Sequence, residues 1–309
     1  MKRTLSNNTK QDKQACKVRN NNNERISEVL QYIRRKRKVV VLIGAGVSVD
    51  SGIPDFRSQN GFFSIIKDYL PSRYTAEDIF EYSVFLENPS LFYSSIKHIL
   101  VDQAKPSLVH RWLQTLQEEE HNLQHIFTQN IDGLESCIPA PVTNLHGVLS
   151  TGHCLKCKKP VDSSLLMEAY KTGKVAYCKS CSGVIKPDIL FYHEAVTEDA
   201  LIRMKQEATS ADLLLILGTS LSTSPVSDCI SFFSNCDIIS MNQTNIQIQN
   251  RDISPPLTVQ LLGSFSSILC MDKQRAEKTL DTVITSKSII VLHDGIVKKR
   301  KYLSEWTFL

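Results

Sequence analysis

The stretch Val39-Val40-Val41-Leu42-Ile43 is continuous, rich in β-branched residues and ends at Gly44. That is the pattern of a parallel strand buried on both faces. Shorter runs recur at Ile126-Phe127-Thr128, at Leu213 to Leu217 before Gly218, and at Ile238 to Met241. Between them, apolar positions return at helical spacing over 26–35, 109–119 and 198–208. Strands alternating with helices predict an α/β protein built on a Rossmann-like, doubly wound parallel sheet. The N-terminal arm, residues 1–25, is basic and Asn-rich, with Asn20 to Asn23 in a row, and reads as disordered. No internal repeat stands out.

Two Cys-x-x-Cys pairs, Cys154/Cys157 and Cys178/Cys181, are separated by 20 residues. Each pair can form a knuckle that offers two sulfurs to one ion, so four thiolates at this spacing predict a closed tetrahedral zinc site. Four sulfurs leave no open position for water, which makes the metal structural and sends the search for chemistry elsewhere. The cysteines fall between two of the strands. They define a zinc-binding insert over 151–183 within a Rossmann-like domain of 26–150 and 184–270, followed by a C-terminal extension, 271–309.

Composition changes this picture little. A chain of 309 residues with 42% hydrophobic positions can bury a full core. It has no apolar run of membrane-spanning length, and its start lacks the apolar region of a signal peptide, so neither a membrane nor secretion is expected. Cys16, Cys137, Cys229, Cys236 and Cys270 have no framework spacing, which fits a reducing compartment. The net charge of +4 hides an asymmetry: residues 1–40 carry 12 Lys/Arg against 3 Asp/Glu, leaving 24 basic against 29 acidic residues elsewhere. The runs Arg34 to Lys38 and Lys298 to Lys301 can serve as nuclear-import addresses or chromatin contacts, or be no more than a solvated helix end and tail.

The first strand runs into Gly44-Ala45-Gly46-Val47-Ser48. A glycine turn there is expected to open a helix and let a pyrophosphate approach backbone N–H groups. The usual dehydrogenase fingerprint is incomplete, because Val49 stands where its third glycine would be. A dinucleotide held in another manner is the expectation. The phrase continues through Val49-Asp50-Ser51-Gly52-Ile53-Pro54-Asp55-Phe56-Arg57-Ser58. In order follow Thr128-Gln129-Asn130-Ile131-Asp132-Gly133-Leu134, Leu145-His146-Gly147, the four cysteines, Lys186-Pro187-Asp188-Ile189-Leu190-Phe191, Gly218-Thr219-Ser220-Leu221 and Asn242. Over about 26–270 the chain resembles the sirtuins, the NAD-dependent protein lysine deacylases.

That resemblance implies NAD in a groove between the Rossmann-like domain and the zinc-bearing one, with an acyl-lysine entering from the opposite side. It implies cofactor contacts from Gly44, Ala45, Gly46, Ser48, Ile53, Asp55, Phe56, Arg57, Gln129, Asn130, Ile131 and Asp132. Further contacts come from Gly218, Thr219, Ser220, Asn242, Ser264 and Phe265. His146 is then the general base, with Asn130 and Asp132 also catalytic, while Leu190, Tyr192 and His193 meet the peptide. An amide is hard to hydrolyse without an open metal site, so the electrophile is the glycosidic carbon of NAD, and the products are nicotinamide, free lysine and O-acetyl-ADP-ribose.

Other roles stay open for single residues. His146 can be a structural histidine, Asp55 and Asp132 can cap helices, and Arg57 can be a surface ion-pair partner. The pair Tyr69/Arg73 is spaced four apart, unlike the three of the Tyr-x-x-Arg signature of sirtuins that take acidic acyl groups. The stretch Ile79 to Phe85 resembles the fungal nuclear branch acting on histones, so an acetylated histone is the expected substrate and the nucleus, with the cytoplasm as a second site, the expected location. Three departures from the family pattern are Tyr192-His193-Glu194-Ala195-Val196, where the family continues Phe-Gly-Glu and then Leu-Pro, Gly263-Ser264-Phe265 in the adenine loop, and Thr223. Competing readings are a sirtuin-fold NAD hydrolase or ADP-ribosyltransferase, and a zinc-ribbon nucleic-acid-binding protein.

Overall fold

A computed structural model describes residues 23–99, 104–246, 258–273, 289–293 and 297–300. The expectations for residues 1–22, for Lys301 and for much of the C-terminal extension lie outside these. The chain opens with a helix over 23–35 (α1). It continues through β1 (Val39–Ile43), α2 (Phe62–Ile66), α3 (Tyr82–Glu87), α4 (Pro89–Ile96), α5 (Leu108–Glu120), β2 (Leu123–Thr128), β3 (Val142–Asn144) and β4 (Gly147–Cys154). Then come α6 (Ser163–Thr172), β5 (Ile185–Ile189), α7 (Glu198–Ser210), β6 (Leu213–Leu217), α8 (Val226–Cys229), β7 (Asp237–Asn242), β8 (Thr258–Leu262), α9 (Phe265–Leu269), β9 (Ile289–His293) and β10 (Val297–Arg300). Among the described residues no helix is long and apolar enough to cross a membrane.

The described residues divide into two units, the first made of those within 23–42, 112–125 and 204–300, the second of those within 43–111 and 126–203. In the first, strands follow the order β10-β9-β8-β7-β6-β1-β2. The pairs β6–β7, β7–β8 and β8–β9 are parallel, and β10 closes the edge antiparallel to β9. From β1 the chain steps to β2 on one side, and later through β6, β7 and β8 on the other. The sheet is therefore doubly wound, with its switch point between β1 and β6. All residues of β1, β6, β7 and β8 are buried, as their near-unbroken apolar runs require for a sheet covered on both faces. Gln260, polar and buried, returns two bonds to the main chain of Ile246, 3.0 Å to its nitrogen and 3.1 Å to its oxygen, so no amide group of that side chain is stranded.

In the second unit the last residues of β2 pair with β3 in parallel, and β4 pairs with β5 antiparallel. Its core is aromatic. Phe56, Phe62, Phe63 and Phe80 meet at ring distances of 5.7 to 6.3 Å, and Phe85, Phe92, Tyr93, Tyr170 and Phe191 extend the cluster. The stretch Ile79 to Phe85 contributes Ile79, Phe80 and Phe85 to this core, where edge-to-face packing adds about 0.5–1.5 kcal/mol per pair to area burial. The two tyrosine hydroxyls are not orphaned. That of Tyr93 donates to the Ile185 carbonyl at 2.8 Å and that of Tyr170 to the Leu149 carbonyl at 3.1 Å, tying α4 and α6 to the β4–β5 ribbon.

Candidate functional site

The four cysteines come together. The Sγ atoms of Cys154 and Cys181 lie 3.4 Å apart and those of Cys157 and Cys178 3.7 Å apart, and all four fall within 4.8 Å of one another. Tetrahedral zinc with Zn–S bonds of about 2.3 Å requires sulfurs about 3.8 Å apart, so the thiols fit one structural ion. The two knuckles are built alike: the residue after the second cysteine, Lys158 or Ser182, takes a left-handed φ, 59° and 54°. The N–H groups of Cys157 and Ser180 point at the sulfurs of Cys154 and Cys178. These donors hold both thiols below the usual range, Cys154 to about 6, whereas Cys181, despite a bond from the Gly183 backbone, is pushed up to about 12 by the other sulfurs crowding it, and its proton is the one that a metal would displace. Gly183 is obligatory here, since a Cβ would stand 2.8 Å from the Cys154 sulfur.

The glycine turn departs from expectation. Instead of an α-helix, Gly44 leads into two short 3-10 turns, Ala45–Val47 and Val49–Ser51. The β-branched Val47 and Val49, with Ser48, Asp50 and Ser51, are poor helix propagators, and Gly52 at φ 84° ends the second turn. The turn buries Ser48 and sets it over the phrase at 128–135. There the Ser48 hydroxyl donates to Asp132 Oδ2 at 2.8 Å and accepts from Asn130 Nδ2 at 3.3 Å. Asp132 also caps the following turn, accepting from the Leu134 N–H at 2.9 Å. Burial, and then the charge of Glu135, push the Asp132 carboxyl upward, against the bonds from Leu134 and Ser48. Asp55 accepts from the Ser58 N–H at 3.0 Å, closing a turn and not a helix. Its neighbours Ile53 and Phe56 are partly buried, while Arg57 is exposed, near enough to bear on the Tyr192 hydroxyl.

Two residues of this network carry no sequence signal. Glu135, 1% exposed, accepts from Thr128 Oγ1 at 2.9 Å and Asn130 Nδ2 at 3.1 Å. The Nε2 of fully buried His110 stands 3.7 Å from the same Oε1. Burial alone would raise the Glu135 carboxyl, but His110 and Thr128 outweigh it and hold the group below its ordinary range. With both its N–H bonds directed at Ser48 and Glu135, Asn130 is left with a buried carbonyl oxygen, Oδ1, that has no partner among the described residues. It is an acceptor waiting for a donor.

His146 follows β3. Its Nδ1 lies 3.0 Å from the Gln129 carbonyl oxygen. A carbonyl can only accept, so Nδ1 carries the proton and Nε2 is the basic nitrogen. Burial lowers the imidazole below its ordinary value, more than the Gln129 bond raises it. The ring is therefore neutral and competent to take a proton near neutrality. Next to it, Gly147 takes φ 73°, and a Cβ there would stand 1.8 Å from the Asp188 carbonyl oxygen. That close crossing lets the Leu190 N–H donate to the His146 carbonyl at 2.9 Å, bringing the candidate peptide segment to the candidate base.

Beyond Leu190, the Tyr192 N–H donates to the Phe80 carbonyl at 2.7 Å. His193 keeps the left-handed backbone, φ 69°, that a glycine would take. Its side chain is 83% exposed and its Nε2 lies 3.3 Å from Glu81 Oε2. The loop is held by Glu194, which the sequence left unassigned. Its Oε2 accepts from the Phe191 N–H at 2.8 Å and from Lys186 Nζ at 2.9 Å. The same lysine, buried, donates to the Ile189 carbonyl at 2.9 Å and lies 4.8 Å from the Phe191 ring centre.

In the first unit the candidate residues share the C-terminal edge of the sheet. The Gly218 N–H donates to the Met241 carbonyl at 3.1 Å and the Gly263 N–H to that of Asn242 at 3.0 Å, joining the ends of β6, β7 and β8. Asn242 is buried and its Nδ2 has no partner among the described residues, an orphan donor where open α/β sheets bind ligands. Thr219 Oγ1 accepts from the Leu221 N–H and Ser220 pairs with Ser222. The Ser264 side chain is occupied as the N-cap of α9, next to the half-buried Phe265.

Two further features take definite form. Tyr69 stacks on His98 at 4.7 Å and Arg73 lies over Tyr74 at 4.6 Å, so each has another partner. In the basic run, Arg34 binds Asp272, Glu119 and Glu120, and Lys36 binds Asp237. Arg35, Arg37 and Lys38 stay exposed.

A family model described as the Sir2 family matches residues 44–225. The NAD-dependent protein deacetylase sir-2.1 of Caenorhabditis elegans is 31% identical over 280 residues, 89% of this chain and 45% of the relative. The NAD-dependent histone deacetylase sir2 of Schizosaccharomyces pombe is 32% identical over 242 residues, 66% of this chain and 50% of the relative. The chain thus spans about half the length of these relatives. A solved Sir2 structure described with a deacetylated p53 peptide and 3'-O-acetyl-ADP-ribose is 28% identical, with a TM-score of 0.66 over 80% of this chain and 97% of the other. With the family model matching more than half of the chain and a relative 31% identical over 89% of it, the chain belongs to the Sir2 family.

Proposed function

We propose that the protein is an NAD-dependent protein lysine deacetylase that acts on acetylated histone tails in the nucleus. One observation carries the chemistry. His146 is partly buried, neutral and fixed by the Gln129 carbonyl with its free Nε2 as base, and the chain continues from Gln129 directly into Asn130, Ile131 and Asp132. NAD, when bound, supplies the electrophilic carbon that a closed zinc site cannot. Asn130 Oδ1 offers it an acceptor, Ser48 and Asp132 brace that amide, and Phe56 is the group to shield the reacting face from water. In the first unit, Asn242 Nδ2 with Thr219 and Ser220 are the proposed adenine-side contacts. His146 Nε2 is the group that would take a proton from a ribose hydroxyl, and Leu190, Tyr192 and His193 would receive the peptide.

The histone and nuclear parts rest on the likeness to the fission-yeast histone deacetylase and on exposed Arg35, Arg37 and Lys38. Mass spectrometry of a reaction with NAD and an acetylated histone peptide tests the reading. Nicotinamide, the free lysine peptide and O-acetyl-ADP-ribose in equal amounts are expected. ADP-ribose with an intact acetyl peptide would replace this reading with NAD hydrolysis, and ADP-ribosylated peptide with ADP-ribosyl transfer.

A further inference from the structure

We infer that Glu135, set by His110, is a positioning residue that holds the Asn130 amide with its carbonyl oxygen presented to the cofactor. The inference rests on the NAD reading above and goes beyond it, since neither residue belongs to the phrase that suggested the site.

His110 is locked by the start of α5. The Ser107 N–H donates to His110 Nδ1 at 3.1 Å and the His110 N–H points back at Ser107 Oγ at 3.4 Å, a capping box with histidine in the place of glutamate. Because Nδ1 accepts a main-chain N–H, the ring proton resides on Nε2, the nitrogen that faces Glu135 Oε1 at 3.7 Å. Glu135 therefore stands among donors: His110 Nε2–H, the Thr128 hydroxyl and the Asn130 amide. A carboxylate so placed tolerates only the NH2 end of Asn130 beside it. Turned over, the amide would set Oδ1 against the carboxylate and lose the bond to Ser48 as well. Thr128 completes the device, for its Oγ1 donates to Glu135 and accepts from the Asn130 N–H at 3.0 Å. Two buried oxygens of this cluster, Asn130 Oδ1 and Glu135 Oε2, have no hydrogen-bond partner among the described residues.

The test is a double-mutant cycle on NAD affinity, measured by calorimetry on the full-length zinc-bound protein. Glu135→Gln keeps the shape but gives Asn130 a neighbour that can donate, so the amide can turn and present NH2 in place of oxygen. NAD affinity is expected to fall roughly ten- to a hundredfold, the range of a lost hydrogen bond of the stronger kind. In the Asn130→Ala background the same change should matter less than about twofold, because residues acting through one another are not additive. Equal losses in both backgrounds would overturn the inference, since a merely structural Glu135 acts independently of Asn130. If Glu135→Gln does not fold, Glu135→Asp, which keeps the charge and withdraws it by one methylene, takes its place in the cycle with the same criterion. A wild type that fails to bind NAD overturns both the functional reading and this one. A wild type that binds, with additive variants, overturns only the role of Glu135.

Discussion

The imidazole of His146 and the main-chain carbonyl of Gln129 meet at 3.0 Å, so the tautomer of the base is decided by backbone and not by a second side chain. His146→Ala should leave NAD affinity within a few-fold of wild type. It should lower deacetylation by about two to four powers of ten, the usual worth of a general base. Steady-state turnover beside a calorimetric titration checks both halves.

Burial depresses the His146 pKa below its ordinary value of about 6.5. The neutral form is the active one, so the rate is held above the depressed pKa and lost as pH falls through it. The acid limb of kcat/KM for the acetyl peptide is therefore expected below pH 6.5. A limb at or above that value, measured in constant-ionic-strength buffers, would assign the base to another group.

The cysteine tetrad predicts one zinc per chain. Cys178→Ser should lose metal and cooperative unfolding together, because binding at such sites is coupled to folding. Elemental analysis with a denaturant titration decides this. A metal-free variant of native stability would contradict it.

At His193 the backbone is left-handed, φ 69°, and its contact with Glu81 is largely solvent-exposed, hence worth little. His193→Gly is expected to fold as well as or slightly better than wild type, whereas His193→Val should fall about 1–2 kcal/mol below the glycine variant, the cost of a side chain forced into that region. If the imidazole also selects residues flanking the acetyl-lysine, the glycine variant will broaden preference across a peptide panel without change in NAD affinity.

Lys186 is buried and fully paired. Lys186→Ala strands the Glu194 carboxylate under Phe191 and should cost about 2–3 kcal/mol, somewhat under the usual penalty for breaking a buried pair because Glu194 keeps some solvent contact. Chemical denaturation gives the number, and the loss should fall together with weaker peptide binding.

Much of this was legible in the chain. Continuous apolar runs marked β1, β6 and β7 because a parallel sheet covered on both faces needs no polar alternation, and the cysteine spacing marked its own ligand set. Strand β5 was hidden, for Lys186, Pro187 and Asp188 resemble a turn until Lys186 is seen to satisfy its charge internally. The Glu135–His110 pair was hidden by distance along the chain. A glutamate three residues past Asp132 and a histidine on the first turn of a helix have nothing in common until the fold brings Nε2 to Oε1. The glycine turn misled in detail, because the same sequence serves an α-helix or two 3-10 turns, and here β-branched residues decide for the turns.

The β4–β5 ribbon has the cysteines at one end and His146 with Leu190 at the other, since Cys154 pairs with Ile185 and Gly147 with Ile189. Order imposed by the metal at the cysteine end is thus carried along paired backbone to the end proposed to receive the peptide. A chelator that never approaches NAD is therefore expected to loosen that far end as well, although zinc takes no part in the proposed chemistry.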